Sequence, residues 1–142
     1  RWIYIFVPNL IKGEKVKIKI LKVLSSHAFA KVEEFIKKSE YRLKLDCDTY
    51  SKCGGCAMRH IKYEKTLEIK KSAVESSLKK QGINVKVNDV IGMEAPYFYR
   101  NKLQYPLGID SSGNPVMGVF AQRSHRVIET NKCMIQNKRL RL

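Results

Sequence analysis

Polar and apolar residues alternate strictly through Lys15, Val16, Lys17, Ile18, Lys19 and Ile20, the period of a strand with one face on a core. Val16, Ile18 and Ile20 are expected to face inward, and Lys15, Lys17 and Lys19 to line the other face. Gly13 ahead of this run and Ser25–Ser26 behind it mark turns, so the β-compatible residues from His27 to Val32 predict a hairpin partner. Residues 1–44 read as three or four short strands in a small antiparallel barrel or sheet, a surface that several nucleic-acid modules use. From Tyr63 the period changes. Tyr63, Leu67, Val74 and Leu78 form one helical stripe, Lys65, Lys70, Lys79 and Lys80 fall off it, and Gly82 supplies a C-cap. Beyond it Ile83, Val85 and Val87 alternate, as do Leu103, Tyr105, Leu107 and Ile109, and residues 116–121 supply a partner strand across the turn 110–114. Residues 62–142 therefore predict one helix packed on an antiparallel sheet, with no internal repeat.

Length and charge narrow the class. The chain has 142 residues, room for one ordinary domain or two small ones, and its 44% hydrophobic content excludes a disordered chain. Two domains of this size each bury little, and small cores often need a staple. No apolar run approaches the roughly 18 residues of a membrane span, so a soluble protein is expected. The formal net charge is +15, with 11 basic and 5 acidic residues in 1–46 and 17 and 8 in 47–142. Charge of one sign in both parts favours a polyanion touched by both, nucleic acid first; the competing reading is a solvated face. The missing initial Met and the uncapped charged run of residues 137–142 predict a fragment.

All four cysteines fit one pattern: Cys47, five residues, Cys53, two residues, Cys56, then 76 residues to Cys133. A disulfide framework is disfavoured in a Lys-rich chain without a signal peptide, and Cys53 and Cys56 are too close to staple much. Three thiols in one loop with a distant fourth is the layout of plant-type iron–sulfur ligation, here with one more residue in the first gap. Gly54 and Gly55 between the paired thiols let the backbone pass close to a bulky cluster. The spacing does not match that of radical S-adenosylmethionine enzymes. Zinc stays open, because Cys53, Cys56 and His60 also satisfy a knuckle spacing and Cys133 would then be a buried free thiol.

With these residues in place, the chain resembles the bacterial RNA uridine C5-methyltransferases, specifically the 23S ribosomal RNA branch. The resemblance is carried by Cys53-Gly54-Gly55-Cys56 with His60 and Tyr63, by Pro96-Tyr97-Phe98-Tyr99-Arg100-Asn101-Lys102, and by Ser124-His125-Arg126-Val127-Ile128 leading to Cys133-Met134-Ile135-Gln136. Upstream, Phe6-Val7-Pro8 and Gly13-Glu14-Lys15-Val16 are similar to the TRAM domain, an OB-like RNA-binding barrel, although its first strand is missing. Arg59 stands where that family usually has Gln.

The resemblance implies an OB-like barrel over 1–46, an iron–sulfur loop over 47–61 closed by Cys133, and a truncated central α+β domain over 62–142. It implies Cys47, Cys53, Cys56 and Cys133 as ligands of a 4Fe-4S cluster. Lys15, Lys17, Lys19, Arg59, Arg100, Lys102, Arg123 and Arg126 are the expected RNA contacts. The parent would form 5-methyluridine in ribosomal RNA with S-adenosylmethionine, in the cytoplasm, with no membrane and no obligate protein partner. The donor site lies in a Rossmann-like domain in that family, and no G-x-G loop is present in this sequence. Uracil C5 is a poor nucleophile, so its methylation requires a thiolate at C6 and a base for the C5 proton. Four thiols committed to a cluster leave none for that step, so this chain is expected to have no catalytic residue and no activity alone. The alternatives are a free-standing zinc RNA-binding module and, more remotely, an electron-transfer protein.

Overall fold

In the computed structural model, residues 3–130 and 132–140 are described, and the chain folds as two units, 1–43 with 60–62, and 44–59 with 63–142. The first unit is a three-stranded sheet of β1 (Tyr4–Phe6), β2 (Lys15–Val23) and β3 (His27–Lys37) in the order β1-β3-β2. The predicted hairpin is present: β2 and β3 run antiparallel, with Ile18 opposite Val32 and Ile20 opposite Ala30, and Leu24 N donates to His27 O at 2.8 Å across the turn. Three register shifts along this pair bend and twist the ribbon. β1 pairs parallel with β3, so the sheet is mixed rather than antiparallel. Val16 and Ile18 are half-buried as the alternation requires, but Ile20 is exposed. The buried centre of this unit is small: Ile11, Ala28, Ala30, His60 and Ile61.

The second unit carries α1 (Tyr63–Lys80) and a sheet of β4 (Leu107–Ile109), β5 (Pro115–Phe120) and β6 (Val127–Glu129), all antiparallel. The helix ends as predicted. Gly82 takes φ +74°, and Ile83 N and Gly82 N return to Leu78 O and Lys79 O, each at 3.0 Å. Two expectations fail here. Residues 83–87 form no strand, and α1 does not pack on the β4-β5-β6 sheet. Instead the segment after the helix folds back along it, with Asp89 on Lys71 at 2.7 Å and Met93 N on Tyr63 Oη at 2.9 Å. A methyl group added at Gly92 would stand 2.8 Å from Leu67 Cδ1 and 3.5 Å from Tyr63 Cε1, so a loop covers the start of the apolar stripe, while Val74 farther along is exposed. The three alternating apolar residues find no ladder, and Ile83 and Val85 stay exposed.

Tyr50, Ala121, Ile128 and Ile135 are the buried apolar residues of this unit, joined by Thr66 and Gln136. Among the described residues no large side chain is wholly buried, and no helix is long and apolar enough to cross a membrane.

Candidate metal centre

The loop from Lys44 to Arg59 is built by its backbone before any metal is considered. Tyr50 N donates to Cys47 O at 3.2 Å, and Lys52 N and Cys53 N both donate to Thr49 O, at 3.0 and 2.8 Å, which coils the first gap into turns. Tyr50 is buried, and its hydroxyl donates to Ala57 O at 3.2 Å, tying the two arms together. The loop then joins the end of β5: Gly54 N donates to Phe120 O at 3.2 Å, and Gln122 N to Lys52 O at 3.0 Å. A Cβ at Gly54 would lie 3.3 Å from Gln122 Cα, so glycine permits this close backbone approach. Gly55 N points at a thiol, donating to Cys53 Sγ at 3.2 Å.

Cys133 arrives from β6 and is held in place by residues 134–137. Phe98 N donates to Met134 O, Arg100 N to Ile135 O and Asn137 N to Arg100 O, at 3.1, 2.8 and 2.9 Å. Buried Gln136 accepts from Tyr105 Oη at 2.6 Å. These bonds stitch residues 134–137 to residues 98–100 and place the remote thiol. All four cysteines then line one cavity of about 720 Å³. They are free thiols and half-buried. Burial pushes the Cys56 thiol above its ordinary range; the Arg59 charge opposes that shift, and charge on Cys53, Cys133 or Cys47 would add to it. Among the described residues no group of three His, Cys, Asp or Glu side chains converges tightly enough to hold one metal ion.

His60 stands apart from this set. Its ring is buried in the first unit, where burial first and the Arg42 charge second lower its pKa and Glu14 works the other way, and it does not line the cavity.

The basic residues expected at RNA fall into separate groups. Lys15, Lys17 and Lys19 are exposed on β2 in the first unit, where Lys17 meets Glu33 at 3.3 Å. The register adds two lysines that the sequence did not single out, because Lys37 stands opposite Lys15 and Lys31 opposite Lys19. In the second unit Arg59, Arg100 and Arg123 line the thiol cavity, whereas Lys102 and Arg126 are exposed outside its wall. Arg59 is already engaged, through a fork to Asp46 at 2.8 and 2.7 Å. That fork was missed in the sequence, though an acid directly before Cys47 and a base three residues after Cys56 bracket the loop.

Fold and site together define a class: a basic chain of two small units, the second holding four thiols in one cavity. No family model matches the chain. It is 46% identical over 137 residues to an uncharacterized RNA methyltransferase of Clostridium acetobutylicum, covering 94% of this chain and 30% of that one. An uncharacterized RNA methyltransferase of Listeria monocytogenes is 41% identical over 135 residues, with coverage of 94% and 30%. The chain thus spans about 30% of the length of these relatives. Among solved structures, the tRNA (uracil-54, C5)-methyltransferase of Pyrococcus abyssi, in complex with S-adenosyl-L-homocysteine, shares its fold. That match has a TM-score of 0.59 and 19% identity, and it covers 95% of this chain and 29% of that one.

Proposed function

We propose that this chain is the RNA-binding and iron–sulfur portion of an S-adenosylmethionine-dependent methyltransferase that forms 5-methyluridine in 23S ribosomal RNA. The observation that carries the reading is the meeting of Cys47, Cys53, Cys56 and Cys133 around one cavity, although 76 residues separate the last two. RNA methylation is supported by the Clostridium and Listeria relatives, uracil C5 by the activity of the Pyrococcus fold neighbour, and ribosomal RNA by the motif resemblance. The three-stranded sheet of the first unit is the TRAM-like RNA-binding module in this reading. S-adenosylmethionine would be held by the parent outside these residues. Free thiols suit a reducing compartment, in keeping with a cytoplasmic protein.

The residues present fit a 4Fe-4S cluster. A cubane offers four separate irons, one to each thiolate, and so calls for thiols spread around a cavity; a single zinc ion needs all four within about 2.3 Å of one point. The Gly55 amide donates to Cys53 Sγ, and a Cβ at Gly55 would stand 3.3 Å from that same sulfur, so glycine there provides the hydrogen bonding and the clearance that a sulfide cluster uses. Cys47, Cys53, Cys56 and Cys133 would hold the cluster, and its contribution is to bind the thiol loop to the chain around Cys133. With every thiol so committed, this chain binds RNA and transfers no methyl group.

Protein purified without oxygen should carry about four irons and four sulfides per chain. Cys133→Ser should lower iron content and stability together, while His60→Ala should leave iron content nearly unchanged. Stoichiometric zinc without sulfide, or the reverse behaviour of the two variants, would transfer the assignment to the zinc RNA-binding module.

A further inference from the structure

One ion pair closes the thiol loop at its base. Asp46 immediately precedes the first thiol and Arg59 follows the third by three residues. Arg59 Nε donates to Asp46 Oδ1 at 2.8 Å and Nη2 to Oδ2 at 2.7 Å, so the planar guanidinium and the carboxylate meet as two parallel forks. The other side of the guanidinium is occupied by Tyr97, whose ring centroid lies 4.8 Å from Cζ. Only 11% of the Arg59 side chain stays exposed, against 41% for Asp46. An exposed pair of this kind would contribute little to stability, but a bidentate, stacked and largely buried arginine is held in one geometry.

The same guanidinium is part of the cavity wall and bears electrostatically on Cys56. Thiolates around an iron–sulfur cluster make the site anionic, and the reduced cluster carries one more negative charge than the oxidised one. A fixed positive charge in a half-buried wall favours the more negative state, with less screening than at an open surface. Asp46 offsets part of that charge while holding it in place.

We infer that Arg59, tethered by Asp46 and seated on Tyr97, is a positioning residue of the metal centre: it braces the three-thiol loop in its ligating form and raises the electron affinity of the bound cluster. This rests on the iron–sulfur reading. It also withdraws Arg59 from the phosphate-contacting set, since its Nε–Nη2 edge is turned to Asp46 and the side chain is largely buried.

The test compares anaerobically purified wild type with Arg59→Gln, Arg59→Lys and Asp46→Asn, each followed by iron and sulfide content, loss of iron to a ferrous chelator, and midpoint potential. Arg59→Gln should lose iron about 10- to 100-fold faster and show a lower potential. Asp46→Asn, which keeps the guanidinium and removes its counter-charge, should show a higher potential. Arg59→Lys should keep a potential near that of wild type while still losing iron faster, because an ammonium cannot form the fork. Opposite shifts in the Gln and Asn variants are the signature of charge; a brace with no electrostatic role would not produce them. Should Arg59→Gln assemble no cluster, the Asp46→Asn potential decides: raised supports the inference, unchanged overturns it. Wild-type protein without iron and sulfide overturns the cluster reading and this inference with it. A normal cluster with equal potentials in all variants overturns this inference alone, as would a loss of RNA salt dependence in Arg59→Gln.

Discussion

Glu14 has no exposed side-chain surface and yet is held ionised. Arg42 donates to both of its oxygens, Nε at 2.5 Å and Nη2 at 2.6 Å, and the amides of Ile11 and Ser39 add bonds at 3.0 and 3.1 Å. The Arg42 hydrogen bonds dominate; burial opposes them, and the two amides reinforce them, so the carboxyl pKa falls from 4.5 to about 2. A depressed carboxylate stabilises the fold fully above its unfolded pKa and ceases to do so as pH falls through the folded one. The contribution, roughly 2–3 kcal/mol, should therefore be present at pH 7 and fade between about pH 4.5 and 2. Glu14→Gln should be less stable at pH 7 by about 3 kcal/mol, because it leaves Arg42 without its buried counter-charge, and should lose less across that acid window. Urea unfolding at pH 7, 4.5 and 2.5 measures both. Nothing in the sequence marks this pair, since 28 residues separate its members and only the folded sheet brings them together. Asp46 and Arg59 differ in flanking the cysteine pattern, but nothing in that spacing marks them as a pair.

Elements were legible where local chemistry decides them. The helix needed only its stripe and its terminal glycine, and both the β2–β3 hairpin and the turn 110–114 needed only their turn residues. Elements that depend on remote partners were not: β6 is three residues long, flanked by polar side chains, and exists because β5 lies beside it. Two glycines separate these cases experimentally. Gly82 has positive φ and open space around it, so Gly82→Ala costs backbone strain alone, about 1 kcal/mol. Gly118 sits on β5 where an added Cβ would fall 1.8 Å from Ile128 O, inside the β5–β6 ladder. Gly118→Ala should therefore part those strands and lower the melting temperature much more than Gly82→Ala. The end of β5 also anchors the thiol loop through Phe120 O and Gly54 N. Iron content after anaerobic purification should fall in Gly118→Ala and hold in Gly82→Ala; equal iron in both would show that the loop does not depend on the ladder.

For the molecule as a whole, the excess of positive charge is large, and few apolar side chains are buried among the described residues. The lysines of β2 give that charge a testable location. Lys15 faces Lys37 and Lys19 faces Lys31 across the ladder, and like charges placed directly opposite each other destabilise a sheet unless an anion lies over them. RNA phosphates on this face would relieve the repulsion and release counterions, so affinity for structured RNA should fall steeply with salt, by about one log unit per log unit of salt for each phosphate neutralised. Changing Lys15, Lys17 and Lys19 together to Gln keeps the strand period and removes three charges. The salt slope should then shrink by roughly two to three, nearer two because Lys17 is shared with Glu33. Removing opposed charges should leave the circular dichroism spectrum unchanged and the free chain no less stable. An unchanged slope would show that this face is merely solvated, and would shift the RNA surface to Arg100, Lys102, Arg123 and Arg126 in the second unit.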